Sequence, residues 1–281
     1  MRTNRIMLQG ISSGCGKSTL VALLCRHFRS LGLKVAPFKA QNLSLNSFVT
    51  SEGKEIGISQ AFQAWAAGIE PEGAMNPILL KPGGEQGIQV VLEGRPVSNL
   101  RPGEELDREM LLEVVSRSFD VLATRFDLIV IEGAGSPAEL NLRGRDIANM
   151  RTAEMLDSPV VLVGDIDRGG VFAGIYGTHQ LLAEKERARI KGYIINRFRG
   201  DGSILGPGIS RLSELTGVPC LGVMPMVDLH LPSEDALTID VSRIASADGD
   251  AREVWKQDLD ALLAAGQKHL DLDMLRSIAF S

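Results

Sequence analysis

The chain has 281 residues, 44% of them hydrophobic, enough for one large α/β domain or two small ones with a substantial core. Its 30 basic and 35 acidic residues leave a net charge of −5, which argues against nucleic acid or an anionic membrane as a partner. No apolar run approaches the roughly 18 residues of a membrane span, and Met1 leads into a strand without a signal-peptide pattern, so the expected location is the cytoplasm.

Short β-branched runs alternate with longer helical patterns, as in an α/β fold with a mostly parallel sheet covered by helices on both faces. In chain order, the periodicity predicts a strand over Arg5–Gln9, a helix over Lys17–Ser30, a strand over Lys34–Phe38 and a helix over Gly57–Ala67. Asn76–Val97 then breaks the alternation with two extended runs around Pro82–Gly84, the second being Ile88–Glu93, and reads as a hairpin insertion. Next come a helix over Glu104–Arg125, a strand over Leu128–Glu132, a helix over Ala148–Leu156 and a strand over Pro159–Gly164. The series closes with a helix over Val171–Glu186, a strand over Gly192–Asn196, a helix over Ile204–Thr216 and a strand over Cys220–Met224. These strands are mostly apolar, as expected when both sheet faces are buried.

After Asp228 the rhythm stops, and Ser246–Asp250 reads as a polar linker. Val254–Leu263 places Trp255, Leu259, Leu262 and Leu263 on one helical stripe, expected to dock on the parent domain. The implied organisation is a P-loop domain over residues 1–240, with residues 241–281 forming a linker and C-terminal helices docked on it.

Chemistry concentrates first in Gly10-Ile-Ser-Ser-Gly-Cys-Gly-Lys-Ser-Thr19, where a strand gives way to a helix. There, successive backbone N–H groups and a helix N-terminus can converge on phosphate oxygens. Gly14, Cys15, Gly16, Lys17, Ser18 and Thr19 are the candidate nucleotide-binding residues. Lys17 would neutralise the β- and γ-phosphates of ATP, and Ser18 would ligate Mg2+. Gly10 and Gly16 stand six apart, where the plain motif has five. Cys15 reads as a small spacer.

Phosphoryl transfer also needs a carboxylate near the metal, at the end of a neighbouring strand. Glu132, before Gly133-Ala-Gly135, and Asp165, before Ile166-Asp-Arg-Gly-Gly170, both qualify, with helix capping or a turn as the alternative for each. Lys39 closes the second strand at the carboxyl edge, where it could hold a γ-phosphate or an acyl phosphate. Asn196 ends the fifth strand with the donor and acceptor needed to read a purine edge, although an ordinary turn asparagine fits the spacing as well. Cys15, Cys25 and Cys220 have no metal-ligand spacing to one another or to His27, His179, His230 or His269.

These residues resemble the synthetase domain of cobyric acid synthase, an ATP-dependent amidase family related to dethiobiotin synthetase. Besides the Gly10–Thr19 loop, the resemblance rests on Phe38-Lys-Ala-Gln-Asn-Leu-Ser-Leu-Asn-Ser47, Glu55-Ile-Gly57 with Gln60, and Met75-Asn-Pro-Ile-Leu-Leu-Lys-Pro82. It continues through Glu132–Leu142, Asp146–Met150, Asp165–Phe172, Ile194–Asp201 and Leu231–Leu237, and so runs over nearly all of residues 4–240.

The resemblance implies that ATP phosphorylates a corrin carboxylate and that ammonia then displaces phosphate to give an amide. By resemblance Lys17, Ser18, Lys39 and Glu132 map onto phosphate and metal roles, with Lys17, Lys39 and Glu132 catalytic and Ser18 and Glu132 serving the metal, and Asn196 reads adenine, while Asp165 is a metal candidate from its strand end. Gln41, Asn42, Asn46 and Arg168 fall on the substrate side, where amide and guanidinium groups suit carboxylate and carboxamide partners. The implied substrate is adenosylcobyrinic acid a,c-diamide, and a groove at a homodimer interface would suit so flat a macrocycle.

The family continues into a glutamine amidotransferase domain, whose cysteine elbow and His-Glu pair have no counterpart among these residues. Either a separate glutaminase subunit delivers ammonia, free ammonia is used, or the chain is a truncated or repurposed relative. Three other readings stay open. One is a ligase for another tetrapyrrole or a small carboxylate; another is a corrinoid-binding protein without catalysis. The last is a partitioning ATPase of the ParA and MinD type, whose additional loop lysine is replaced by Ser12.

Overall fold

The structure, a computed structural model, describes residues 3–83, 87–101, 103–142, 144–229 and 250–281. Gly84 of the expected turn, residues 231–237 and the linker residues 246–249 lie outside this range.

The first half contains β1 (Asn4–Gly10), α1 (Lys17–Ser30), β2 (Val35–Phe38), β3 (Gln41–Leu43), β4 (Ser47–Val49), β5 (Glu55–Gly57), α2 (Ile58–Ala67), β6 (Ile78–Pro82), β7 (Ile88–Leu92), β8 (Arg95–Leu100) and α3 (Arg108–Ala123). The second contains β9 (Leu128–Glu132), α4 (Met150–Met155), β10 (Val160–Asp165), α5 (Val171–Leu181), α6 (Glu184–Arg187), β11 (Ile190–Phe198), α7 (Gly206–Thr216), β12 (Cys220–Pro225), α8 (Asp250–His269) and α9 (Leu272–Ala279). No described helix is long and apolar enough to cross a membrane.

Local chemistry explains where the elements depart from their periodicity. The helix expected from Glu104 begins at Arg108, because the Asp107 carboxylate accepts from the N–H groups of Glu109 and Met110. The helix expected over Val171–Glu186 breaks at Leu182, whose ψ of 151° is extended. A new turn starts there because Glu186 Oε2 accepts from the Ala183 N–H at 2.7 Å. The hairpin insertion is larger than its two runs: β6, β7 and β8 pair antiparallel, and β3 joins β6 in parallel, in the order β3-β6-β7-β8. Strands β3, β4 and β5 have three residues each, too few for a period-2 pattern to register.

Two compact units divide these elements. The phosphate-loop unit comprises Asn4–Val21, Ile131–Asp228 and Ala261–Ser281. Its sheet runs β12-β11-β10-β1, all parallel, and the end of β9 lies beside β1 through the Gly133 N–H donating to Leu8 O at 2.9 Å. Ile6, Met7 and Leu8 on β1, Val160–Val163 on β10 and Tyr193–Ile195 on β11 are buried. Apolar strands covered on both faces suit a parallel ladder. The register aligns Gly10 with Val163 and Asp165 with Asn196, which brings the carboxyl ends of β1, β10 and β11 to one rim.

The hairpin unit is built from Ala22–Val130 and the described part of α8 to Asp260. In it, β2 lies beside the start of β9, where the Leu128 N–H donates to Lys34 O at 3.2 Å. Trp255 of α8 stacks on Trp65 of α2, with centroids 5.2 Å apart and planes 22° apart, and meets Phe62 edge-on. Trp255, Leu259 and Leu262 are buried, while Leu263 is half-buried. Deleting a buried aromatic leaves a cavity as well as losing transfer energy, so Trp255→Ala should cost about 3 kcal/mol. A urea titration should show the lower midpoint; an unchanged one would mean that α8 contributes nothing to this core.

Candidate functional site

The phosphate loop begins where β1 ends, and its curl is set by glycines. Gly14 and Gly16 have φ of 68° and 93°, the left-handed region that glycine enters without steric cost. Close approach also demands glycine: a Cβ on Gly16 would overlap Asn196 Nδ2, and one on Gly10 would lie 2.7 Å from Lys17 Nζ. The loop therefore wraps the side chain of Lys17, which is buried and donates to Ser12 O at 3.0 Å and Gly135 O at 3.2 Å. Ser18, on the first turn of α1, donates through Oγ to Glu132 Oε1 at 2.8 Å.

Glu132 is 1% exposed, and the loop that follows it is fastened by Asn149. Asn149 Nδ2 donates to Ala134 O at 2.6 Å, and its Oδ1 accepts from the Ala134 N–H at 3.1 Å. Asp146 Oδ1 in turn accepts from the Ala148 and Asn149 N–H groups, both at 2.9 Å. A Cβ on Gly133 would strike Asn149 Oδ1, so glycine is required beside this fastening. The sequence signal was present in Asp146-Ile-Ala-Asn149, an acid and an amide spaced to cap a helix start, but nothing local tied it to Gly133–Gly135.

At the ends of β10 and β11 the expected residues meet different partners. Asn196 Nδ2 donates to Cys15 O at 2.9 Å, binding β11 directly to the loop. Asp165 is buried and accepts from the Asp167 N–H at 2.9 Å, while its Oδ2 lies 2.9 Å from Arg197 Nη1 and 3.9 Å from Arg168 Nε. Arg199 pairs with Asp167 at 2.9 Å. The structure thus brings Lys17, Ser18 and Glu132 together and places Asp165 in an arginine cluster of the same unit. Cys220 donates through Sγ to Gly222 O at 3.5 Å, and burial pushes its thiol above the ordinary cysteine range, the reverse of an activated nucleophile.

Lys39, Gln41, Asn42 and Asn46 belong to the hairpin unit. Lys39, Asn42 and Asn46 are buried, and Gln41 is half-buried. Asn42 Nδ2 donates to Gln60 Oε1 at 3.1 Å. Asn76 Nδ2 donates to Lys39 O and Ile78 O, both at 3.1 Å, and its Oδ1 accepts from the Gly57 N–H at 3.0 Å. Asn46 accepts through its backbone O from the Ile58 N–H at 3.2 Å. These bonds fix the strand-loop segment that carries Lys39 against the start of α2.

A family model described as the CobQ/CobB/MinD/ParA nucleotide binding domain matches residues 6–237. The chain belongs to this family. It is 54% identical over 242 residues to the probable cobyric acid synthase of Methanothermobacter thermautotrophicus, covering 85% of this chain and 48% of that protein. Identity is 55% over 235 residues to the cobyric acid synthase of Caldanaerobacter subterraneus subsp. tengcongensis, with 83% and 46% covered. The Photorhabdus laumondii cobyric acid synthase is 53% identical over 250 residues, with 89% and 49% covered. The chain thus spans about half the length of the curated relatives it matches. The signal recognition particle receptor FtsY of Elizabethkingia anophelis gives a TM-score of 0.49 at 16% identity, covering 81% of this chain and 60% of that one.

Because a methyl at Gly16 must push Asn196 off the loop, in a backbone conformation that alanine resists, Gly16→Ala should weaken nucleotide binding roughly tenfold or more. Calorimetric titration of the folded variant with ATP measures this. Wild-type affinity would show that the loop's curl is not what receives nucleotide.

Proposed function

We propose that the chain performs the ATP-dependent amidation of corrinoid carboxylates, as a cobyric acid synthase-like ligase of cobalamin biosynthesis acting on adenosylcobyrinic acid a,c-diamide. The observation that carries this reading is the Ser18–Glu132 hydrogen bond beside the enclosed Lys17, in a chain more than half identical to three cobyric acid synthases over most of its length. The residues fit Mg2+, because a hydroxyl and a carboxylate 2.8 Å apart are hard oxygen ligands that leave further positions for water and phosphate. They fit ATP through the left-handed Gly14 and Gly16, which turn the loop's N–H groups and the start of α1 toward one concavity.

In the proposed reaction a corrinoid carboxylate oxygen bonds to the γ-phosphorus of ATP as the β–γ bridging P–O bond breaks, and ADP leaves. Ammonia then attacks the acyl carbon, gives up a proton, and phosphate departs to leave a primary amide. Lys17 and Lys39 would neutralise charge on the transferred group, and Ser18 and Glu132 would hold Mg2+, whose charge would stabilise that of the transfer. Residues 1–240 form the synthetase part in this reading, with 241–281 closing it. Gln41, Asn42, Asn46 and Arg168 serve the corrinoid, and ammonia comes from glutamine hydrolysis or from solution.

Asn196 supports adenine in particular. Its donation to Cys15 O uses one of the two Nδ2 hydrogens, which leaves Oδ1 to accept from the 6-amino group of adenine and the second N–H to donate to a ring nitrogen.

Purified protein with ATP, Mg2+, ammonium and adenosylcobyrinic acid a,c-diamide should release ADP in step with new amide, detected by mass spectrometry. Lys39→Ala should lower that rate on the order of a hundredfold, as loss of a cation poised for transition-state charge does. ADP release indifferent to the corrinoid would overturn the substrate, and stimulation by a different carboxylic acid would move the reading to that acceptor.

A further inference from the structure

Arg197 was not among the expected site residues, and three observations single it out. It is one of three non-glycine described residues with positive φ, at 63°, a conformation that side chains rarely adopt. It follows directly on Asn196, near the end of β11. Its Nη1 donates to the buried Asp165 Oδ2 at 2.9 Å, and its Nε lies 3.9 Å from where a Cβ on Gly16 would stand. The guanidinium is therefore held over the phosphate loop one residue before Lys17.

Charge bookkeeping in the cluster favours an anion. Asp165 carries one negative charge and faces two guanidiniums, Arg197 at 2.9 Å and Arg168 at 3.9 Å, so the trio keeps a net positive charge. Arg168 Nη2 lies 3.8 Å from the position a Cβ on Gly14 would take, so both arginines border the same loop glycines. The Arg197 side chain is 35% exposed and has donors beyond the one given to Asp165. A carboxylate that fixes one edge of a guanidinium presents the opposite edge in a set direction, which suits bidentate contact with phosphate oxygens.

We infer that Arg197 is a further cation of the nucleotide site, contacting the phosphate chain, and that Asp165 is the residue that positions it. This gives the Asp165 carboxylate a task other than the metal ligation its strand-end position suggested. The inference rests on the reading of the loop as a nucleotide site and extends it to a residue outside the loop.

The test is calorimetric titration of the full chain with ATP, ADP and adenosine at two salt concentrations. Arg197→Ala should lose on the order of tenfold in affinity for ATP and ADP, change little for adenosine, and show a shallower salt dependence. Arg197→Lys should recover part of the loss. Asp165→Asn should weaken ATP binding in wild type but add little in the Arg197→Ala background, because a positioning residue has no effect once its client is gone. Wild-type ATP affinity in Arg197→Ala would overturn the assignment. So would equal losses for adenosine and ATP, which would place the guanidinium at the base or in the fold. Lys17→Ala is the control: if it binds ATP as wild type does, the nucleotide reading of the loop itself has failed.

Discussion

The site depends on the hydrogen bond between Ser18 and Glu132, and that bond depends on strand register. Glu132 is 1% exposed, and a carboxylate so buried is costly without hydrogen-bond or ionic partners. Ser18 can reach it because α1 begins at Lys17, immediately after a loop whose two left-handed glycines reverse the chain. Gly133 bonds back to Leu8 on β1, so the end of β9 and the start of the phosphate loop are fixed to one strand. A shift of one residue in that pairing would turn Glu132 to the opposite sheet face, away from Ser18.

The same unit shows how a rim built from strand ends is stiffened. Asn149 locks the loop after Glu132, Asn196 ties β11 to Cys15, and Asp165 joins β10 to Arg197. Each is a side chain bonding backbone or an opposite charge at the rim, and for Asp165 and Arg197 the parallel pairing of β10 and β11 already sets the distance. Preorganisation of this kind lets donors and cations face developing charge without reorganising during reaction. The hairpin unit applies the same device to its own polar core, where Asn76 and Asn42 hold the segment from Lys39 to Gln60.

Much of this was legible in the sequence because it is written locally. The glycines around Lys17, the apolar β9 run ending in Glu132 and the helix over Lys17–Ser30 are all contiguous patterns, and each stands where its residues indicate. The misses arise where structure is set by distant partners. Strands β3, β4 and β5 are too short to show a period, and β8 pairs with β7 although five of its six residues are exposed and carry no apolar alternation. Asp165 reads as a metal candidate from its strand end alone, and the arginine it pairs with comes from another strand, in a left-handed backbone that no local pattern announces. Asn149 carried a helix-start signal, yet its bonds to Ala134 span 15 residues. Such contacts become visible once the sheet order is known.

The central claim is that Ser18 and Glu132 jointly hold the magnesium of a bound nucleotide. Titrating ATP into wild type and Glu132→Gln, each with and without Mg2+, tests it directly, since the amide keeps the shape and the hydrogen bond from Ser18 but removes the charge. The account predicts that Mg2+ strengthens binding by wild type, that this gain disappears in Glu132→Gln, and that the Mg2+-free affinities stay within a few-fold of each other. An undiminished Mg2+ gain in Glu132→Gln would contradict it.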